Sequence, residues 1–466
     1  MKKLILTSAV LCLTGCSVGP DYKAPSLSFL DRWFSEQADV TSEKPVDTAW
    51  WLIFKDPLLE KYIEQAAENN KDLKIALANL RGARALRREQ GGAFFPEIGA
   101  TSSADRTRTS GASSSSTSTG QISNSYDATF DASWELDIFG GNRRSYEAAE
   151  ARVGKSLAAY QDVMLSTLSE VARNYYEARG LQKRIIITQQ NTQLLKESFE
   201  VISDRLDAGE TSDFDLYRAQ GEYQLTHALI PNLEAELKAS IYTLSILLGQ
   251  PPESLLDEMA AVQALPTPPD MVPVGLRSDI LRRRPDIRIA ERELAASVAD
   301  IGAETAALFP QFYLTGDVGT QARLFSDIFS GGAGLWSIAS MMQWSVFEGG
   351  ALRARVEVQK EESLAALASY EKAVLEALRD AETALMSYGQ ELETRQRLAN
   401  GVESRRKSVA LAKELFDAGE QDYLAVVDAE RQLIASEDDL IVSESRSITK
   451  LIALYTALGG GWDVFE

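Results

Sequence analysis

Between residues 126 and 136, apolar and polar side chains alternate without a break. Ala128, Phe130, Ala132, Trp134 and Leu136 share one face; Asp127, Thr129, Asp131, Ser133 and Glu135 share the other. A period of two predicts a strand with unlike surroundings on its two sides. Eleven residues also match the reach of a tilted strand across a bilayer, although a soluble hairpin alternates in the same way. Residues 97–106 are its more polar partner. Thr107–Gly120, almost wholly Ser, Thr and Gly, predicts an exposed flexible loop between the two. The plan recurs later, with strands near 311–320 and 338–347 and a loop near 323–334.

The longer segments read as helices. Residues 56–93, rich in Ala, Leu, Glu and Lys, predict one helix. Pro96 stops it, because proline neither continues a helix nor favours one before it. From Asn142 to Asp207 there is no proline, and Gly154 and Gly180 are the only glycines. A single helix of that length would run roughly 100 Å at about 1.5 Å per residue. Its end carries Leu195, Phe199, Ile202 and Leu206 at coiled-coil spacing, and Val409, Ala412 and Phe416 match the last three. Gly209 and Gly419 then supply a left-handed helix stop. Ser212 or Asp213, and Asp422, can cap the next helices, which run to Gly249 and Gly459.

These elements are two copies of one unit. Asp72–Ala76 (DLKIA) returns as Asp286–Ala290 (DIRIA), Phe94-Phe95-Pro96 as Leu308-Phe309-Pro310, and Asp207-Ala208-Gly209-Glu210 unchanged as Asp417-Ala418-Gly419-Glu420, about 210 positions later. Such a duplication fixes the architecture, and the unit is too long for a solenoid repeat. The expected organisation is a leader over 1–15, a wrapping segment over 16–55 and a first repeat over 56–249. A linker over 250–274 carries six prolines; a second repeat over 275–459 and a tail over 460–466 follow. Each repeat reads helix, strand, strand, long helix, helix.

Composition narrows the chemistry. The chain has 466 residues, 45% hydrophobic, with a net charge of −20. An acidic chain without a basic cluster is a poor nucleic-acid binder. After residue 15 no apolar run is long enough to span a bilayer as a helix. The single histidine, His227, reads as a helix-surface residue and Met341-Met342 as strand packing, so no metal site is legible. Gly140-Gly141 and Gly331-Gly332 read as turn glycines. Without a nucleophile motif, an acid–base constellation or a phosphate-cradling loop, neither enzyme activity nor a cofactor is expected.

At the start, Met1-Lys2-Lys3 precedes a short apolar stretch, Leu4–Leu13, and then Leu13-Thr14-Gly15-Cys16. This resembles the bacterial lipoprotein signal, in which cleavage precedes the cysteine and its thiol is lipidated. Cys16 is therefore the expected lipidation site, giving an anchor and not a span. Cys12 would leave with the leader, so no disulfide within the chain is expected. Residues 17–55, with Pro20, Pro25, Pro45, Trp33, Phe34, Trp50 and Trp51, predict an extended segment wrapping a folded body.

Four membrane-type strands per chain raise a closure problem. An open sheet in lipid leaves edge N–H and C=O groups unpaired. Two chains would give an eight-stranded barrel filled by its own side chains, so an open duct needs at least three. The helices, too polar for lipid, would extend such a barrel as a coiled-coil tube.

The order of elements resembles the TolC-like outer-membrane factor family, in particular its lipoprotein (OprM- or NodT-like) branch. The residues carrying the likeness are Cys16 with Gly19-Pro20-Asp21-Tyr22, Trp134–Gly140, Arg284-Pro285-Asp286-Ile287, Gly302-Ala303 through Leu308-Phe309-Pro310, Leu424–Arg431 and Leu454–Trp462. The resemblance implies a mixed α and β fold: a homotrimer whose 12-stranded transmembrane β-barrel, four strands per chain, continues into a 12-helix coiled-coil tunnel. It implies a passive exit duct in the outer membrane, working with a periplasmic adaptor and an inner-membrane pump of the proton-driven RND type.

The likeness also carries site residues. It places Asp428 in an acidic ring at a nearly closed periplasmic tip, Leu424 in an apolar ring one turn away, and Arg431 as a charge partner. Ala425 departs from relatives that carry a second carboxylate there. By repeat register Arg218 is the equivalent of Asp428, so Arg218 or Arg431 is expected to pair with it between neighbouring helices. The turns at Gly209, Glu210, Gly419 and Glu420 are the expected adaptor contacts. Two rivals are a duct for a protein or peptide secretion system and a structural lipoprotein tethering envelope layers; a tether has no need of four amphipathic strands.

Overall fold

The computed structural model describes residues 17–25, 32–35, 41–42, 44–108, 110, 122–269 and 271–465. Cys16, the leader and most of the Ser/Thr/Gly loop lie outside the described residues. The first copy contains helices α1 (Pro57–Asn69) and α2 (Lys71–Gly92), strands β1 (Glu97–Arg108) and β2 (Ile122–Leu136), the long helix α3 (Gly141–Asp207), and α4 (Asp213–His227) with α5 (Leu229–Leu247). The second contains α6 (Ile280–Arg283), α7 (Pro285–Ala306), β3 (Gln311–Ala322), β4 (Gly334–Gln343), the long helix α8 (Ala351–Asp417) and α9 (Tyr423–Ala457). The two long helices each have 67 residues. No described helix is long and apolar enough to cross a membrane.

Three expectations need correction. The segment 56–93 is two helices, broken at Asn70. The Asn70 side chain accepts the amides of Asp72 and Leu73 at 2.8 and 3.1 Å and so caps α2, while its Nδ2 donates to the Leu247 carbonyl at 2.9 Å. Arg284 holds the matching place between α6 and α7 and donates to the Ala457 carbonyl at 3.1 Å. The helix after the first turn is likewise two, α4 and α5. Pro231 has no N–H for the His227 carbonyl and crowds it, which loosens the helix at Ala228. The last strand ends at Gln343, not at residue 347. It pairs Gln343 with Gln311, and the residue before Gln311 is Pro310, which cannot donate to the ladder.

The four strands form one antiparallel sheet in the order β1-β2-β3-β4. Its register carries the alternation of residues 126–136 across all four strands. Ala100, Phe130, Val318 and Trp336 lie side by side in one row; Gly99, Asp131, Asp317 and Ser337 lie in the adjacent row on the opposite face. Phe130, Val318, Trp336 and Ile338 are all exposed. An apolar face of this extent is a surface for lipid or another protein. Among the described residues, β1 and β4 each leave one edge unpaired.

The chain forms two compact units, each drawing on both copies. Among the described residues, the first comprises 17–25, 79–108, 110, 122–157 and 289–371; the second comprises 32–35, 41–42, 44–78, 158–269, 271–288 and 372–465. In the first, small residues let elements approach closely. Ala151, Ala295 and Ala296 form a buried cluster with Tyr22 packed against it. Gly19, at φ +90°, sits where a Cβ would fall 2.4 Å from the Gly302 Cα. Arg144, almost wholly buried, donates to the Val18 carbonyl at 3.2 Å and to Asp21 at 2.6 Å. The Tyr22 hydroxyl donates to Glu291 at 2.9 Å. The Gly-Pro-Asp-Tyr motif is thus a strap, with each residue but the proline held by a named partner.

The second unit is centred on aromatics. Trp50 is fully buried, stacks on Tyr455 at 5.8 Å and donates to the Gly460 carbonyl at 3.2 Å. Phe54 packs on Tyr176 at 4.9 Å, and Tyr62 meets Tyr175 edge-on. Each such ring contributes on the order of 1.5–3 kcal/mol by burial. Trp33 donates to the Gly275 carbonyl at 3.0 Å, and the amides of Phe34 and Ser35 donate to Glu382. The wrapping segment is therefore fastened at several points within this unit.

Candidate functional site at the helical turns

Each long helix stops at its expected glycine. Gly209 and Gly419 have φ of +76° and +74°. The Glu210 amide donates to the Arg205 carbonyl at 2.8 Å and the Gly209 amide to Leu206 at 2.9 Å; Glu420 and Gly419 repeat this on Leu415 and Phe416. Two such bonds satisfy the last carbonyls of a helix. Of the two candidate caps after the first turn, Ser212 serves, accepting the Asp215 amide at 3.3 Å; Asp422 accepts that of Ala425. All four turn residues, Gly209, Glu210, Gly419 and Glu420, are exposed.

The two turns belong to one packed assembly. Ile202, Ala219, Tyr423, Val426 and Val427 form a buried cluster, with Phe199, Leu216, Ala412 and Phe416 against it. The expected coiled-coil stripe supplies Ile202, Phe199, Ala412 and Phe416. Arg205 of α3 lies 4.4 Å over the Phe416 ring of α8 and pairs with Asp417 at 3.4 Å. Burial, with the nearby Glu430 carboxylate, pushes the Tyr423 hydroxyl up to about 12.

The expected charge cluster assembles on top of this packing. Asp428 lies 3.7 Å from Arg218 on α4 and 3.4 Å from Arg431 on its own helix. Both arginines pair with it inside one chain. Leu424 projects one turn away and is exposed, as is its repeat equivalent Phe214.

One pair was not legible beforehand. Glu430 is only 7% exposed and meets Lys413 of α8 at 2.7 Å. It lies three and four positions after Val427 and Val426, on the face turned to the core, which is the signal a helical-face reading offered. Its repeat equivalent is Gln220 and that of Lys413 is Ser203, so only the second copy carries this pair.

The profile of the outer membrane efflux protein family matches residues 62–250 and again 276–460. The chain belongs to that family. Nodulation protein T of Rhizobium leguminosarum bv. trifolii is 31% identical over 462 residues, covering 97% of this chain and 96% of that protein. The toluene efflux pump outer membrane protein TtgI of Pseudomonas putida is 32% identical over 468 residues, covering 98% of each. The solved outer-membrane channel OprN superposes with a TM-score of 0.92 at 35% identity, covering 96% of this chain and all of that one. This efflux protein is accordingly an outer-membrane component of an efflux system. The exposed apolar sheet face is read as its lipid-facing surface.

Proposed function

We propose that this protein is the exit duct of a tripartite efflux system, passively conducting substrates from an inner-membrane pump, through a periplasmic adaptor, to the exterior. The observation carrying the reading is the sheet. It has one apolar face, one polar face bearing Asp127, Asp131, Glu135 and Asp317, and two unpaired edges on a single chain. Three copies joined edge to edge close twelve strands around a polar lumen, whereas one copy in lipid leaves two rows of backbone groups unsatisfied. In this arrangement Cys16 carries the lipid anchor on the periplasmic side. The turns at Gly209, Glu210, Gly419 and Glu420 point into the periplasm and meet the adaptor.

Asp428, Arg218, Arg431 and Leu424 form the gate. Three Asp428 carboxylates around one axis concentrate cations in a narrow, low-dielectric passage. One relative is named for the efflux of toluene; selection among substrates falls to the pump. Reconstitution of the purified protein into planar bilayers tests the duct. Discrete cation-preferring conductance steps are expected, and a protein that inserts without conducting contradicts it.

A further inference from the structure

Within the four strands, the face carrying Phe130 has only two charged residues. In the paired register that face comprises Ile98, Ala100, Ser102 and Ala104 on β1, the alternate residues Ile122 to Leu136 on β2, Phe312 to Ala322 on β3 and Gly334 to Met342 on β4. Every carboxylate of the sheet lies on the opposite face. The two charged residues on the Phe130 face are Arg106 and Arg108, opposite the neutral Asn124 and Ile122. Neither arginine has an ion-pair or hydrogen-bond partner among the described residues, and both are exposed.

Their height along the sheet is informative. They lie at the end distant from the helices, where the hairpin loops begin. Tyr126 marks that end of the apolar band, opposite Ala104, with Phe325 5.7 Å away and Phe329 beyond it. Aromatic rows of this kind sit at the boundary of the hydrocarbon layer. Arg106 is two residues past Ala104, roughly 7 Å at about 3.4 Å per residue, which is the depth of a headgroup layer. Two guanidinium groups on one face, i and i+2, present paired donors to phosphate oxygens.

We infer that Arg106 and Arg108 form a docking site for the phosphate groups of phosphorylated lipids in the outer leaflet. The site fastens the outer rim of β1 to the membrane. It rests on the reading of the sheet as part of a transmembrane barrel whose loops face outward.

The test uses the full-length protein purified in detergent, with bis-phosphorylated lipid A as the probe and retained lipid counted by native mass spectrometry. The wild type should bind it. The double variant Arg106→Gln/Arg108→Gln should bind roughly thirty-fold more weakly, while Arg106→Lys/Arg108→Lys keeps most of the binding. Dephosphorylated lipid A should not bind, and millimolar inorganic phosphate should not compete. A glutamine variant that assembles like the wild type and binds lipid A equally well overturns the site and leaves the duct standing. Competition by free phosphate overturns the assignment to a lipid. A wild-type chain that never assembles into a barrel overturns both.

Discussion

Arg218 and Asp428 occupy equivalent positions in the two copies of the repeat, eight residues after Glu210 and Glu420 respectively, and they meet at 3.7 Å. Duplication placed two copies of one helix position beside each other, and divergence gave them opposite charges. Arg431 joins the same carboxylate at 3.4 Å. A partly exposed pair of this kind contributes only about 0–1 kcal/mol; the proposed threefold ring would repeat it around one axis.

Asp428→Ala should therefore loosen the tip, raise single-channel conductance and lower cation preference, because it removes the ring's negative charge and frees two cationic partners. Leu424→Ala should raise conductance with little change in selectivity, since it removes bulk without charge. Planar-bilayer recordings read both quantities. Wild-type conductance and selectivity in Asp428→Ala would make Asp428 an ordinary surface carboxylate and place the gate elsewhere.

The Lys413–Glu430 pair predicts an asymmetry. Lys413 is about half exposed and can turn to water, whereas Glu430 is buried. Lys413→Met leaves an uncompensated buried carboxylate and should cost about 1–3 kcal/mol. Glu430→Gln keeps the shape, loses the charge, and should cost less. Thermal unfolding of the two variants checks the order; equal losses would mean that Glu430 reaches solvent in the assembled protein.

What the sequence made legible follows from how local each cause is. The strand at 126–136 and the stops at Gly209 and Gly419 depend on alternation and on left-handed glycine geometry, both written in the residues themselves. The end of β4 depends on Pro310, a residue of another strand's approach, so it emerged only once the register was known. The break at Asn70 is equally hidden, because an asparagine inside an Ala- and Leu-rich run does not by itself end a helix; here its side chain both caps α2 and holds the distant Leu247 carbonyl. The charge cluster at Asp428 follows from repeat register and family likeness; the buried Glu430 does not, because a carboxylate amid helical charges reads as solvated.

The strap at the chain's start makes a steric prediction. Gly19→Ala requires both a left-handed backbone that side chains rarely adopt and a Cβ 2.4 Å from Gly302. The segment should lift from its seat, becoming sensitive to limited proteolysis while the rest of the chain stays resistant. Gly302→Ala should have a similar effect, because its Cβ would meet the buried Arg144 side chain at 2.7 Å. Wild-type proteolysis patterns in both variants would show that the strap tolerates a wider spacing.

Cys16 is expected to begin the mature chain with its thiol and amine acylated. Mass spectrometry of the N-terminal peptide reads this directly. An intact 1–15 segment, or a free Cys16 thiol, contradicts it. Cys16→Ser should still reach the membrane, since insertion of a closed barrel does not depend on the anchor.

The central claim is that the four-stranded sheet is one third of a barrel. The mass of the detergent-extracted complex, measured natively and without cross-linking, tests it most directly. The account predicts three chains per particle, in which the edges of β1 and β4 from neighbouring copies pair. A stable monomer or dimer would contradict it.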